Sequence, residues 1–257
     1  MTALKGDIAT IALMDCPIHS LTMAETVGHI DRAIAEKRPL HHVVVNVAKL
    51  VNMQRNPELK ASVVASDIIN ADGQGVVWAA RLLGRPLPER VAGIDLMSNL
   101  VALAHEKGYR IFFFGAKEEV VRKVVDKYTG QYSPDIIAGY RNGYYTVAEE
   151  PAIAQSIAAS KADILFVAIT SPKKEIFLNQ YKDIIQTPFI MGVGGSFDVV
   201  SGITKRAPLW MQRAGLEWFF RVLQEPGRMW KRYLVTNTLF LGYLVKECFR
   251  KRKTAVV

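Results

Sequence analysis

The chain has 257 residues, half of them apolar and 22% charged, with only two cysteines. That length supports one large domain, or a domain with an appendage, around a well-buried core, and the composition excludes a disordered chain. Cys16 and Cys248 stand far apart, which excludes a disulfide scaffold and a zinc site of clustered thiolates; reducing cytosol is the expected compartment.

The N-terminal apolar patch is flanked by Asp7 and Asp15 rather than by a basic stretch and a small-residue cleavage site, so no signal peptide is read. In chain order, the first apolar run, 8–14, predicts a strand and 42–47 a second, with Asn46 near its end. Asn56-Pro57 opens a helix with an N-cap and a proline in the first turn. The third strand, 67–71, runs into Asn70-Ala71-Asp72-Gly73-Gln74-Gly75, and helices follow over 73–83 and 94–107. The strand at 109–115 ends in Gly115-Ala116 before a helix at 116–128, and a further helix covers 148–161. The fifth strand, 163–169, leads to Ser171-Pro172, a second N-cap-and-proline helix start. The sixth, 189–193, leads to Gly192-Val193-Gly194-Gly195-Ser196-Phe197-Asp198. This alternation predicts an α/β fold, a largely parallel sheet flanked by helices in a Rossmann-like arrangement.

In such folds ligands sit outside the carboxyl ends of the strands, so the residues after each run are the candidates. Asp72 is either a carboxylate at a cleft mouth, placed as a general base, or the cap of an ordinary Asp-Gly turn. The helix after Gly115-Ala116 is either a phosphate site or a plain strand–helix turn. Lys173 and Lys174 lie in a first helical turn, where the macrodipole prefers anions, and a bound phosphate would relieve the conflict. The glycines at 192, 194 and 195 allow close backbone approach to a ligand, but their spacing is neither a dinucleotide fingerprint nor a nucleophile elbow. No P-loop and no Asp-x-Asp pair occurs, and the five histidines show no ligand spacing, so neither a metal nor another cofactor is expected.

The charge is lopsided. Residues 204–257 hold twelve Lys/Arg against three acids, a local +9 equal to that of the whole chain. The predicted division is therefore a neutral α/β domain, 1–203, and a basic helical appendage, 204–257, which also carries three of the four tryptophans. Basic residues interleaved with Trp and Tyr suit an anionic membrane surface; a nucleic-acid site and a helix packed on the body are the other readings. No run reaches the ~20 apolar residues of a spanning helix, and the longest candidate, 233–245, carries Thr236, Asn237 and Thr238. Arg213, Glu217 and Arg221, and Trp210, Ala214 and Trp218, recur at helical spacing, with Pro226 predicted to interrupt or restart the helix.

Taken together, Asp72-Gly73, Arg90-Val91-Ala92-Gly93, Asn142-Gly143-Tyr144, Ser171-Pro172-Lys173-Lys174-Glu175, Gly192-Val193-Gly194-Gly195, Lys205-Arg206-Ala207-Pro208 and Gly215-Leu216-Glu217-Trp218 closely resemble the WecG/TagA/CpsF family of bacterial glycosyltransferases, family 26. The match runs in order from about residue 42 to 232. It implies an inverting, metal-independent transferase that moves a sugar from a UDP-sugar to a lipid-linked sugar acceptor, an undecaprenyl diphosphate carrier, in surface polysaccharide biosynthesis. The enzyme would be cytoplasmic and peripherally bound to the anionic inner face of the bacterial membrane. It also implies Asp72 as catalytic base, Asn46 in the substrate pocket, and Arg206, Arg221, Arg228 and Arg232 toward the lipid diphosphate. Arg90, Gly115, Lys174, Glu175, Gly194, Gly195 and Asp198 complete the expected substrate site. A homo-oligomer formed through the body is compatible with the resemblance. Two positions depart from the family pattern: Val44 replaces a threonine, and Lys174 replaces a glutamine, turning a neutral donor–acceptor into a fixed cation. The competing class is a non-enzymatic nucleic-acid-binding α/β protein with a basic tail and no use for the strand-end residues.

Overall fold

The computed structural model describes residues 8–254, without the side chains of Arg228 and of residues 250–254. In chain order the strands and helices are β1 (Thr10–Leu13), β2 (Cys16–His19), α1 (Met23–Ala35), β3 (Leu40–Val45), α2 (Val47–Arg55), α3 (Pro57–Val64), β4 (Ile68–Ala71), α4 (Gln74–Leu82), α5 (Gly93–Lys107) and β5 (Ile111–Gly115). They continue as α6 (Glu118–Gln131), β6 (Ile137–Arg141), α7 (Glu150–Ala159), β7 (Ile164–Ala168), α8 (Lys173–Ile185), β8 (Phe189–Gly192), α9 (Ser196–Val200), α10 (Leu209–Arg213), α11 (Glu217–Gln224) and α12 (Pro226–Thr254).

Six strands form a parallel sheet in the order β4-β3-β8-β7-β5-β6. Helices cover both faces, so every residue of β3, β4, β5, β7 and β8 is buried and the strands read as largely apolar runs, interrupted only by His41, His42 and Asn70. The expected α/β class is thus present, flanking helices included.

The first predicted strand belongs elsewhere. Residues 10–13 pair antiparallel with β2, closed by Met14 and Asp15 at positive φ, in a separate two-stranded sheet. That hairpin covers the β4 edge, where the Ile69 amide donates to His19 Nδ1 at 2.9 Å. The predicted strand 42–47 stops at Val45 because Asn46 turns the chain, its Oδ1 accepting from Lys49 N at 3.0 Å to cap α2. Asn56 caps α3 as expected, with Pro57 in the first turn. Ser171 does not cap α8: the Ser171–Pro172 bond is cis and Pro172 takes the cap position with no side-chain hydrogen bond. The helical spacing across 210–221 is broken at Gly215, whose φ of 69° ends α10 before α11 begins. Pro226 does restart the helix, opening α12.

The C-terminal segment packs onto the body. Phe240 and Leu244 of α12 are buried in the same apolar cluster as Leu50 of α2, Leu59 of α3 and Val76 of α4. Glu247 accepts from the Met14 amide at 2.9 Å and pairs with Arg85 at 3.1 Å, tying α12 to the hairpin turn. Among the described residues no helix is long and apolar enough to cross a membrane.

Candidate active site

The carboxyl ends of β4, β3, β8 and β7 lie side by side, and four of the sequence candidates stand there: Asp72 after β4, Asn46 after β3, Gly194 after β8 and Lys174 in the first turn of α8 after β7. Asp72 does not cap α4, whose cap position is Gly73 without a side-chain bond. Its Oδ1 instead accepts from Gly93 N, the first residue of α5, at 3.0 Å. The carboxylate is thereby fixed at a helix N-terminus, where the macrodipole favours an anion. Among the described residues no hydrogen bond engages Oδ2. Gly73 lets Asn46 come close: a Cβ on Gly73 would lie 3.4 Å from Asn46 Cβ. Val44, in place of the family threonine, packs its methyl against Gly93, where a Cβ would sit 3.3 Å away.

Lys174 and Glu175 are both buried, and with Lys49 of α2 they form a cation–anion–cation cluster. Lys49 Nζ lies 2.8 Å from Glu175 Oε1 and Lys174 Nζ 3.7 Å from it. By strict geometry these are ion pairs: among the described residues neither carboxylate oxygen of Glu175 receives a well-aligned hydrogen bond. Burial by itself would raise the Glu175 carboxyl, but the two lysines hold it down at about 2. Burial pushes the Lys174 ammonium down to about 8, opposed by Glu175 and by Asp72. Its Nζ donates to Val193 O at 3.3 Å, and its stem lies where any side chain on Gly192 would stand, 2.8 Å from that Cβ position. Gly192 therefore makes room for Lys174. Lys173 is accounted for as well: it donates to Tyr145 O at 3.3 Å and stands 3.5 Å over the Tyr145 ring. The macrodipole conflict at this helix start is relieved inside the protein.

The tail closes over the site from the other side. Arg206 makes a two-pronged pair with Asp95 of α5, 2.7 Å on each prong, which raises the guanidinium pKa. Arg90 pairs with Glu217 of α11. Between these two bridges Ile94, Val199, Ala207, Phe220 and Arg221 line a narrow crevice. Asp198 and Arg221 both approach Gly195, within 3.5 and 3.4 Å of its Cβ position. Tyr233 of α12 also reaches the site; burial raises its hydroxyl pKa, and it feels Arg221, Arg232 and Asp72. Arg232 is exposed, and the Arg228 side chain lies outside the described residues. A separate hollow of about 210 Å³, lined by Asn52, Arg55, Asn56, Leu59, Ser171 and Pro172, opens at the far end of α2 and contains none of the expected site residues.

Gly115 stands apart. Its φ of 124° and a Cβ position 2.5 Å from the Ala168 backbone explain the glycine by packing. The following Ala116 amide is spent on Ala168 O at 2.8 Å, so it does not point at a ligand. Three strands separate β5 from β4, a distance of roughly 19 Å at the usual inter-strand spacing.

Sequence reasoning missed Lys49, Asp95 and Tyr233. Asp95 was within reach, one turn after the Arg90–Gly93 motif. Lys49 carried no signal, because its role depends on α2 and α8 meeting across the sheet. Among the described residues no three His, Cys, Asp or Glu side chains converge in a way that holds a metal ion.

Residues 11–254 match the family described as "Glycosyl transferase WecG/TagA/CpsF family". An N-acetylglucosaminyldiphosphoundecaprenol N-acetyl-beta-D-mannosaminyltransferase of Bacillus subtilis (strain 168) is 41% identical over 187 residues, 73% of this chain and 72% of the relative. The protein of the same name from Bacillus spizizenii (strain W23) is 40% identical over 180 residues, 70% of this chain and 69% of the relative. This membership removes the non-enzymatic nucleic-acid reading. With its strand-end carboxylate in place and residues 11–254 matched, the chain is a glycosyltransferase and belongs to the WecG/TagA/CpsF family.

Proposed function

We propose that the enzyme transfers a sugar from a UDP-sugar to a sugar carried on undecaprenyl diphosphate, with inversion and without a metal ion, in surface polysaccharide biosynthesis. The observation that carries this reading is Asp72: a carboxylate just after β4, held through Oδ1 by the Gly93 amide, with no hydrogen bond to Oδ2 among the described residues, and near enough to Lys174 and Arg206 for its charge to favour both cations. The names of the two Bacillus relatives support the acceptor class and an N-acetylmannosaminyl donor group.

Asp72 Oδ2 takes the proton of the acceptor hydroxyl as that oxygen attacks the anomeric carbon from the face opposite the diphosphate. The bond from the anomeric carbon to the diphosphate oxygen breaks and its electron pair leaves with UDP. Negative charge developing there meets Lys174, and Arg206 exchanges Asp95 for phosphate oxygens of the same two-pronged geometry. Cationic side chains thus supply the stabilisation that a divalent ion provides elsewhere. Arg221 and Arg232 are assigned to the lipid diphosphate, and Arg228 stays with them on sequence grounds. Asn46, Arg90, Gly194, Gly195 and Asp198 are assigned to the substrate, and Glu175 to orienting Lys174. The segment from 204 onward is assigned to an anionic membrane surface, on its +9 charge and exposed aromatic residues.

The test is UDP release by the purified enzyme in EDTA, with vesicles carrying a lipid-diphosphate-linked N-acetylglucosamine and a panel of UDP-sugars, UDP-N-acetylmannosamine first. Acceptor-dependent release with one donor, and inverted anomeric configuration in the product, is expected. Retained configuration, or release that EDTA abolishes, overturns the mechanism.

A further inference from the structure

The body helix α4 shows a face that the site chemistry leaves unexplained. Trp78 is 52% exposed and Leu82 68%, with Arg81 exposed between them, so apolar and cationic side chains share one side of the helix, and Arg85 follows just beyond its end, after the positive-φ turn at Gly84. Trp78 is the only tryptophan outside the tail. Both ends of this face abut the tail. At one end the Trp78 ring and Gln74 close on Gly215, where a Cβ would meet them at 2.9 Å. At the other, Arg85 reaches Glu247 of α12 at 3.1 Å. Helices α4 and α12 back onto the same buried cluster. Beside its buried Phe240 and Leu244, about a quarter turn round the helix, α12 exposes Trp230, Leu234, Leu241 and Val245, spaced by four, seven and four residues and so forming one stripe.

We infer that α4 is a second lipid-contacting element: Trp78 and Leu82 enter an anionic bilayer surface beside the tail and hold the Asp72 mouth, two residues before α4 begins, toward the membrane. The occupant is a bilayer rather than a second copy of the chain, because the adjoining tail carries a local +9 that repels its own kind and attracts anionic headgroups. Tryptophan and leucine flanked by arginines are what the headgroup boundary accommodates. The inference rests on the membrane reading of the tail and extends it to the catalytic body, so that two separated contacts orient the site where one tether leaves it free to swing.

The experiment compares full-length wild type with Trp78→Glu and Leu82→Glu, each checked for native circular dichroism and for molecular mass in solution. Partition onto phosphatidylglycerol–phosphatidylcholine vesicles is measured by co-sedimentation, and turnover on a water-soluble short-chain acceptor is measured in parallel. Each variant is expected to bind vesicles about tenfold more weakly, the loss of one buried apolar side chain at the interface, with short-chain turnover unchanged. Leu82→Glu is the decisive variant, since Leu82 lacks the Gly215 contact of Trp78. Wild-type vesicle binding by Leu82→Glu overturns the role of α4 alone. Failure of the wild type to bind vesicles overturns the tail reading and this inference together. A wild-type oligomer that Leu82→Glu dissociates reassigns the face to self-association.

Discussion

Replacing Glu175 by glutamine removes the single anion between two buried lysines while keeping the side-chain shape. Glu175 is 1% exposed, and the side chains of Lys49 and Lys174 are 10% and 5% exposed. Removing one partner of a buried ion pair costs about 3–5 kcal/mol, a large part of the roughly 5–15 kcal/mol that holds a domain folded. The cost has a pH signature. Lys174 already titrates at about 8 with Glu175 present, so without it the folded protein sheds that proton earlier, while the unfolded chain keeps it to about pH 10. The unfolded state then binds more protons, stability of the variant begins to climb at a lower pH than that of the wild type, and its deficit narrows toward pH 9. In acid the gap narrows for the opposite reason. The Glu175 carboxyl is depressed to about 2, so its contribution to the wild type is present above the ordinary carboxylate pKa and is lost as pH falls through the folded value. Guanidinium unfolding followed by tryptophan fluorescence at pH 3, 7 and 9 therefore shows the largest separation at pH 7. A variant within about 0.5 kcal/mol of wild type at pH 7, against the 3–5 expected for a buried pair, refutes the account of this cluster.

Asp72→Asn keeps the Gly93 hydrogen bond but cannot accept the acceptor proton; UDP release should fall by about 10²–10⁴-fold with unchanged thermal unfolding, and wild-type release removes the base assignment. Activity of the wild type should decline as pH rises through about 8, because the Lys174 cation is present below that value and lost above it; a pH–rate profile of Lys174→Gln should lack this limb. Phe240→Ala, on the buried side of α12, should cost about 3–5 kcal/mol and lower Tm by roughly 6–20 °C in a scan, whereas an exposed docking of α12 would leave Tm within a degree or two. For the same reason truncation after residue 203 removes core as well as tail, and point substitutions are the cleaner probe of membrane contact.

Much of the site was legible because parallel strands advertise their carboxyl ends: an apolar run followed by Asp72, or by Gly192 to Gly195, marks a position that the fold then brings to the cleft. What those residues touch was less legible. The two lysines of the α8 start suggested an anion from outside, but Glu175 and Tyr145 meet them from within. Gly115 read as either a phosphate site or a plain strand–helix turn, and the backbone of a neighbouring strand, which leaves room for nothing larger than glycine, accounts for it by packing. Arg90 and Arg206 read as ligand arginines, and in this structure each is matched by a carboxylate, Glu217 and Asp95.

By itself the sequence determined the α/β class, the parallel sheet, the family and the basic C-terminal segment, because hydrophobic periodicity, strand-end motifs and net charge are local or additive properties of the chain. Only the tertiary structure decided that residues 10–13 leave the main sheet, that Lys49 stabilises Glu175, and that α12 is part of the core through Phe240 and Leu244. Those outcomes depend on pairings between segments as many as 233 positions apart, such as Met14 with Glu247. The free energy of a pairing belongs to two sites at once, and it exists only when the rest of the fold has brought them together.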